Sequence, residues 1–291
     1  MLTILGNLLI NSENKLQHMK DSFASFEQTS DNWVINIRGK YREEAMAFLK
    51  SRLKNKLIAF ELLNDNEGWS KHAQILMEKA KYNYVLLWNE DHINLAPQET
   101  FSDIIKEMAD NQVDYMKYTW FQLQKKYFEV LPWRPLTYIE VVYVTPENWK
   151  KVSELKTPHI SPYLLSTAGI YKKGLLLKLL KEDTNATSYF LRTCLVAFFN
   201  FLSLSGKNCN GFYNHVNMYL FKGKLPMRKF GKEYPHNLEK EAHRTDYLPL
   251  VFAMPKQELF ACIDDDNTIP NCCLIKRGLY SNKWNTHPEK L

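Results

Sequence analysis

The chain has 291 residues, a length that allows one large domain or two modest ones. Hydrophobic residues make up 45% and charged residues 24%, which excludes disordered and fibrous classes and indicates a folded protein. The formal net charge of +6 suits an anionic ligand or loose contact with anionic lipid. Without a clustered basic stripe, it is too small to indicate nucleic acid.

Cysteine spacing and apolar segments bear on where the protein resides. The five cysteines include no CxxC pair, so the sequence favours reduced thiols in a cytosolic protein over a zinc ribbon or a redox dithiol. The apolar stretches 1–10 and 194–204 are too short to span a bilayer, and the first lacks a basic region and a cleavage site. We therefore expect a buried first strand, a buried helix and no transmembrane segment.

Strand-like and helix-like stretches alternate over the first 115 residues. The strand patterns cover 2–10, 33–37, 57–63 and 84–88, and the helical patterns between them cover 16–26, 42–53 and 69–81. This order predicts a parallel sheet with right-handed crossovers and helices on both faces. Ligands of such sheets bind beyond the carboxyl ends of the strands. The segments that we expect to converge there are 10–14, 38–41, 64–71 and 89–92.

The pattern is less regular after residue 98. Helices are predicted at 99–109, 174–180 and 188–204, and strands at 113–121 and 139–145. The segment 222–244 holds seven Lys or Arg residues against three Glu, together with proline and glycine, and is typical of a basic loop.

A polar run, Asn89-Glu90-Asp91-His92, follows the apolar strand 84–88. A carboxylate on a rigid strand end can position a hard divalent cation that holds nucleotide phosphates. The alternative is a polar loop that caps the following segment, because Asp and Asn favour turns.

Together with this run, two motifs carry a resemblance to a known class of enzymes. They are Asn11-x-x-Asn14 after the first strand, and Asn66-x-Gly68-x-x-Lys71 at the start of a helix. With them the sequence resembles the GT-A class of nucleotide-sugar glycosyltransferases, in particular family 2-like enzymes, over residues 2–121 and more weakly over 161–180. The resemblance implies an α/β fold of GT-A type, in which helices flank a Rossmann-type, mostly parallel sheet. It divides one continuous domain into a nucleotide-sugar-binding half, 1–121, and a less regular acceptor-binding half, 122–291.

The resemblance also implies a metal. In these enzymes a DxD-type motif binds Mn²⁺ or Mg²⁺, which bridges the diphosphate of the sugar nucleotide. Asp91 matches the final Asp of that motif, but Asn89 or Glu90 stands at the first position. The further ligands that we expect are histidines, His92 and His236.

The resemblance places the nucleotide pocket at the ends of the first strands. The family has an acidic residue after the second strand, whereas this chain has Arg38, which pairs with a phosphate or a carboxylated sugar or is simply a solvated loop charge. Lys71 is either a phosphate contact or an exposed helix charge. The complete set of donor-binding candidates is Asn11, Arg38, Asp65, Lys71, Glu90 and Asp91.

Transfer with inversion needs a general base near the acceptor hydroxyl. The candidates are Glu182, Asp183 and Glu140, although the first two could equally end a helix on its solvent face. The basic loop 222–244 would neutralise the leaving diphosphate or contact anionic lipid. We interpret the acidic run 264–266, which follows the strand-like stretch 259–263, as a turn rather than a metal site.

The resemblance leads us to expect a hexosyltransferase-type enzyme that is metal-assisted and inverting. Its partners would be a nucleotide-sugar donor and a glycan or lipid-linked acceptor of a microbial cell-surface polysaccharide, with no nucleic acid. We expect it in the cytoplasm, with peripheral contact at the inner face of the membrane left open. One alternative is a nucleotidyltransferase, but residues 11–14 are not the Gly-rich basic loop that such enzymes carry. The other is an inactive GT-A-like sugar- or nucleotide-binding protein, which the incomplete acidic motif suggests.

Overall fold

The computed structural model describes residues 1–63, 68–117, 128–154, 164–182, 247–263 and 273–280. Its first part alternates strands and helices as the sequence predicts. The elements are β1 (Thr3–Leu9), α1 (Glu13–Phe26), β2 (Trp33–Arg38), α2 (Arg42–Leu53), β3 (Leu57–Phe60), α3 (Gly68–Met77) and β4 (Tyr84–Trp88).

The second part is less regular, again as the sequence predicts. Its elements are β5 (His92–Asn94), α4 (Gln98–Asp110), β6 (Tyr115–Lys117), β7 (Arg134–Pro135), β8 (Ile139–Val144), α5 (Pro146–Glu154), β9 (Gly169–Lys172), α6 (Lys173–Glu182), β10 (Leu250–Pro255) and β11 (Phe260–Cys262). The sequence patterns do not predict β5, β7, α5, β9 or β10. The predicted helix 188–204, the basic loop 222–244 and the acidic run 264–266 lie outside the described residues.

Within the described residues, nine strands form one sheet in the order β3-β2-β1-β4-β9-β6-β10-β8-β7. β1 pairs in parallel with β2 and β4, β2 with β3, and β6 with β10. The pairings of β9 and β8 with their neighbours are antiparallel, so those two strands run against the other seven. The protein therefore has the predicted α/β class, with a large, mostly parallel sheet flanked by helices.

The order of the first four strands contains a reversal. The chain passes from β1 through β2 to β3 and then returns to β4 on the opposite side of β1. Accordingly, α1 and α2 pack on one face of the sheet and α3 on the other. Such a reversal leaves a crevice beyond the carboxyl ends of β1 and β4, which is where open α/β sheets bind ligands.

Both faces of the sheet are buried by helices. α1, α2 and α4 cover one face with residues such as Phe23 and Ile104. α3, α5 and α6 cover the other with residues such as Leu76, Trp149 and Leu179. Double burial explains why the parallel strands are almost continuously apolar, and this is what made them recognisable in the sequence.

Two predicted elements are shorter than their patterns, and side chains explain both ends. The strand predicted to reach residue 63 ends at Phe60. Beyond it, Leu62 N donates to the side-chain oxygen of Asn36 at 2.9 Å instead of to the backbone of β2. The helix predicted to reach residue 81 ends at Met77. Lys81 N instead donates to Asn32 Oδ1 at 3.0 Å, which draws the chain into the start of β4.

A glycine inside β1 positions the end of β4. A Cβ atom on Gly6 would lie 2.8 Å from Ile35 Cδ1 and 2.9 Å from Trp88 Cε3, so only glycine leaves room for the indole. Trp88 Nε1 then donates to Ser22 Oγ at 2.9 Å, which ties the last residue of β4 to α1. The hydrogen bond from Trp88 to α1 thus fixes the position at which the polar run 89–92 begins. None of the helices in the described ranges combines the length and apolar character needed to cross a membrane.

Candidate functional site

The segments that follow β1 and β2 meet at the carboxyl edge of the sheet. Ile10 N donates to Arg38 O at 2.9 Å, and Tyr41 N donates to Ile10 O at 3.0 Å. Lys40 N lies 3.3 Å from the Asn11 side-chain oxygen, which accepts its hydrogen bond. The predicted convergence of residues 10–14 and 38–41 is confirmed.

Gly39 makes this close approach possible. Its φ angle is +101°, and a Cβ atom there would lie 2.5 Å from Asn11 Oδ1 and 2.6 Å from Ile10 O. Residues with a side chain rarely adopt that backbone conformation, and the space is already filled by oxygen atoms. Gly39 in the sequence Arg38-Gly39-Lys40 therefore allows the segment after β2 to lie in close contact with the segment after β1.

Two buried asparagines join the strand ends to α3. Asn36 Nδ2 donates to Asn7 Oδ1 at 3.0 Å, and Asn7 Nδ2 donates to Trp69 O at 3.1 Å. Trp69 Nε1 returns a hydrogen bond to Asn7 O at 3.1 Å. Sequence reasoning did not select Asn7 or Asn36, although a polar amide within a continuous apolar strand is a recognisable signal because a buried amide needs partners. This network holds the first turn of α3, and the exposed Lys71 within it, at the carboxyl edge.

An ion pair joins the segments that follow β1 and β4, at the point where the strand order reverses. Lys15 Nζ, in the first turn of α1, donates to Glu90 Oε1 at 2.6 Å. The Lys15 side chain is 49% exposed and the Glu90 side chain 15%. A cation and a carboxylate thus sit together in the crevice, with the lysine still open to solvent.

Asp91, the next residue, forms a short contact with His92. The His92 Nδ1 and Asp91 Oδ1 atoms are 2.7 Å apart. Burial disfavours the ionised form of Asp91, but the charge and hydrogen bond of His92, a backbone hydrogen bond and the Lys15 charge together lower its pKa. Asp91 is therefore a carboxylate at neutral pH.

A short two-stranded ribbon fixes the backbone of this pair. His92 stands directly opposite Cys262 in the antiparallel pairing of β5 with β11, and Ile263 N donates to Asp91 O at 2.7 Å. On the other side, Asn94 N donates to Ser25 Oγ at 2.9 Å, which attaches β5 to α1.

The ribbon adds Cys262, which sequence reasoning missed, to Asp91 and His92, two of the metal ligands expected from the sequence. The ligand atoms of Asp91, His92 and Cys262 all lie within 4.8 Å of one another. Cys262 is 170 positions away in the chain, and nothing in its local sequence, an apolar stretch before an acidic run, indicates its partner. Only the strand pairing identifies it.

The segment 273–280 pairs with β11 next to the cluster, and its Leu274 and Tyr280 pack against Ile93 and Ala261 of the ribbon. Leu274 N donates to Cys262 O at 2.9 Å. At the end of the segment, Tyr280 Oη donates to Asp21 Oδ2 at 2.6 Å, which fastens it to α1. Burial raises the pKa of Asp21, and the hydrogen bonds from Tyr280 and Gln17 offset part of that rise. Within the cluster, Cys262 is only 5% exposed, whereas Asp91 keeps 36% of its side chain exposed.

The cluster does not suit the metals that the resemblance implies. Mg²⁺ and Mn²⁺ are held mainly by oxygen atoms, from carboxylates, carbonyls and water. The cluster instead offers one carboxylate, one imidazole and one thiol. A thiolate and an imidazole together favour a softer cation of the Zn²⁺ type.

Two of the candidate bases, Glu140 and Glu182, lie in different parts of the fold. Glu140 is on β8, four strands along the sheet from β4, which corresponds to about 19 Å at the usual strand spacing. Glu182 is the last residue of α6, whose Leu180 O accepts from Gln74 Nε2 of α3 at 2.6 Å. The end of α6, which carries Glu182, thus lies beside α3. Glu140 does not lie next to Asp91. Asp65, Asp183 and His236 lie outside the described residues.

Comparisons with known proteins give no family for this chain. No protein-family model matches it, and a search of curated proteins finds no significant match. Among solved structures, S. aureus TarS 1-349 aligns with a TM-score of 0.39 and 14% identity, covering 60% of this chain and 48% of that one. The same fragment in complex with UDP-GlcNAc gives a TM-score of 0.38 and 15% identity. The chain spans about half the length of these structures.

Proposed function

We propose that the protein is a glycosyltransferase that moves a sugar from a nucleotide-diphosphate donor to a glycan or lipid-linked acceptor. The observation that carries the proposal is the pair formed by Lys15 and Glu90, with Asp91 beside it, at the reversal between β1 and β4. A nucleotide bound at the carboxyl edge of an open α/β sheet places its phosphates at this point.

The chemistry of the edge suits a diphosphate. Lys15, Lys40 and Lys71 follow the ends of β1, β2 and β3. The amino-terminal ends of α1 and α3 also lie at this edge, and their backbone N–H groups and dipoles favour an anion. Arg38 and Asn11, and Asp65 in the 64–67 segment, would then contact the base, the ribose or a phosphate, as the resemblance implies.

The proposed reaction needs one bond to form and one to break. The acceptor hydroxyl oxygen attacks the anomeric carbon, and the bond from that carbon to the diphosphate oxygen breaks with inversion. The hydroxyl proton passes to a carboxylate, while the lysines and the segment 222–244 stabilise the charge on the departing diphosphate. Glu182 and Asp183 remain the proposed bases, because Glu140 is about 19 Å along the sheet from β4 at normal strand spacing.

From the resemblance we propose that the protein takes part in the assembly of a microbial cell-surface polysaccharide. It would act at the cytoplasmic side of the membrane, with peripheral contact through basic residues.

The proposal is tested by incubating the full chain with a panel of nucleotide sugars and measuring both thermal stabilisation and release of nucleoside diphosphate. Asp91→Asn is expected to reduce release at least about a hundredfold, because the carboxylate would no longer stabilise the positive charge that develops at the anomeric carbon. Asp31→Asn, which alters an exposed carboxylate at the opposite edge of the sheet, is the matched control and should leave release unchanged.

Three other outcomes would remove the proposal. Absence of stabilisation by every nucleotide tested would contradict donor binding altogether. Stabilisation without turnover would indicate an inactive binding protein. Release of pyrophosphate from a nucleoside triphosphate and a sugar phosphate would identify a nucleotidyltransferase.

A further inference from the structure

We infer that Asp91, His92 and Cys262 form a binding site for Zn²⁺. Their ligand atoms lie within 4.8 Å of one another, and they combine the three donor types that zinc accepts: carboxylate oxygen, imidazole nitrogen and thiolate sulfur. The inference concerns the metal alone and does not depend on the proposed transfer reaction.

The backbone around the cluster holds the three donors together. His92 and Cys262 are opposite residues of the β5–β11 ribbon, so their side chains project from the same side of it. Asp91 is fixed beside them because its carbonyl accepts from Ile263 N at 2.7 Å. This cross-strand arrangement places donors from distant parts of the chain at one point.

The distances between the donors require only small adjustments. Zinc bonds of 2.0–2.3 Å in a tetrahedron put neighbouring ligand atoms about 3.3–3.8 Å apart. Binding would shorten the separations that now reach 4.8 Å and widen the 2.7 Å between Asp91 Oδ1 and His92 Nδ1, both through side-chain torsions.

The burial of the cluster fits a metal with one open position. Cys262 is only 5% exposed, whereas the Asp91 side chain is 36% exposed. Three protein ligands with the fourth position facing solvent is the arrangement of zinc sites that keep a water or a substrate atom bound. When the zinc–sulfur bond forms, the thiol proton leaves to solvent.

Cys273 provides an internal comparison. It is also a buried thiol and stands next to Cys262 in an isolated bridge between the two backbones. Its Sγ donates to Ile263 O at 3.0 Å, and it is not one of the three clustered residues. Cys262 and Cys273 therefore differ in proximity to Asp91 and His92 rather than in burial.

The test uses the full chain, stripped of metal and supplied with no nucleotide. Zn²⁺ affinity is measured by competition with a chromogenic chelator, and Co²⁺ serves as the spectroscopic probe. We expect a sulfur-to-cobalt charge-transfer band, lost in Cys262→Ser and retained in Cys273→Ser. Zn²⁺ affinity should fall at least about tenfold in Cys262→Ser and in His92→Gln, since removing a ligand costs no less than disturbing a neighbour of one. A large excess of Mg²⁺ should not displace Zn²⁺.

Circular dichroism of each variant distinguishes a lost ligand from a lost fold, and the partly exposed His92→Gln supplies the second variant should Cys262→Ser unfold. The inference is overturned by a folded wild type without the charge-transfer band, or by equal losses in Cys262→Ser and Cys273→Ser. It is also overturned by unchanged Zn²⁺ affinity in His92→Gln. Because no nucleotide is present, failure here leaves the nucleotide-binding test untouched.

Discussion

The two edges of the parallel half of the sheet differ in the groups that accompany their buried polar residues. At the amino edge, Thr3 Oγ1 donates to Asn32 Oδ1 at 2.6 Å and accepts from Tyr82 N at 3.1 Å, while Lys81 N also donates to Asn32 Oδ1. These buried polar groups satisfy one another and close the turns. At the carboxyl edge Asn7, Asn36 and Trp69 form a similar buried network, but there the chain also places carboxylates, lysines, an imidazole and a thiol around a crevice.

The ion pairs at the two edges show the same contrast. At the amino edge Lys81 and Asp31 are 3.2 Å apart and both side chains are well exposed. At the carboxyl edge Lys15 and Glu90 are 2.6 Å apart, and the carboxylate is largely buried. Exposed pairs contribute little to stability, whereas a partly buried charge beside a crevice can act on a ligand. The carboxyl edge therefore combines a structural network with charged groups that are placed to act on a ligand.

Among single substitutions, the largest effect on stability is expected at Gly39, where the segments that follow β1 and β2 meet at the carboxyl edge. Gly39→Ala should destabilise the protein by on the order of 3 kcal/mol or more, because it combines a left-handed φ angle with a clash against two oxygen atoms. Chemical denaturation measures the change.

Gly174→Ala is the control for this substitution, since a Cβ atom there meets nothing within 4 Å and the residue lies in a helix. It should be neutral or stabilise the protein by up to about 1 kcal/mol. Equal effects of the two substitutions would contradict the role assigned to Gly39.

At the amino edge, Asn32→Ala should lower the free energy of unfolding by about 2–3 kcal/mol. It leaves the Thr3 hydroxyl and the Lys81 backbone N–H without their shared acceptor in a buried position. Nucleotide binding and Zn²⁺ binding, measured on the folded variant at low temperature, should stay at wild-type levels. A selective loss of either would show that the amino edge is not purely structural.

A smaller effect, on binding rather than stability, is expected from Lys15→Met. The variant should bind a nucleoside diphosphate about tenfold more weakly, since it removes one charge-assisted contact from the crevice. Isothermal titration calorimetry measures the loss, with Lys81→Met at the opposite edge as the control. Equal weakening by both lysine variants would indicate a general charge effect instead of a site.

The smallest effect concerns pH. Because burial raises the pKa of Asp21, the native state favours its protonated form. That contribution to stability is complete below the unfolded-state pKa, near 3.8, and is lost as pH rises through the native value. The stability of Asp21→Asn relative to wild type should therefore increase from pH 3 to pH 7 in denaturation experiments. A constant difference over that range would argue against the shift.

Much of the parallel half was predictable from sequence because its strands are buried on both sides and its helices carry a clear apolar face. Arg42–Leu53 and Tyr84–Trp88 have the bounds that their patterns indicate. The antiparallel insertion of β9 between β4 and β6 was not predictable, because a four-residue strand gives no pattern that identifies its neighbours. Similarly, Asp91 and His92 stand out as a polar run after a strand, whereas Cys262 joins them only through pairing across 170 residues.

Ligand binding is assigned to the carboxyl edge of the sheet. Hydrogen exchange of the full chain, with and without a saturating nucleoside diphosphate, tests this assignment most directly. We predict that protection increases in segments 10–15, 38–41 and 89–92, while segments 28–32 and 79–83 at the amino edge do not change. Protection confined to the amino edge, or no change in either edge at concentrations that saturate binding, would contradict the assignment.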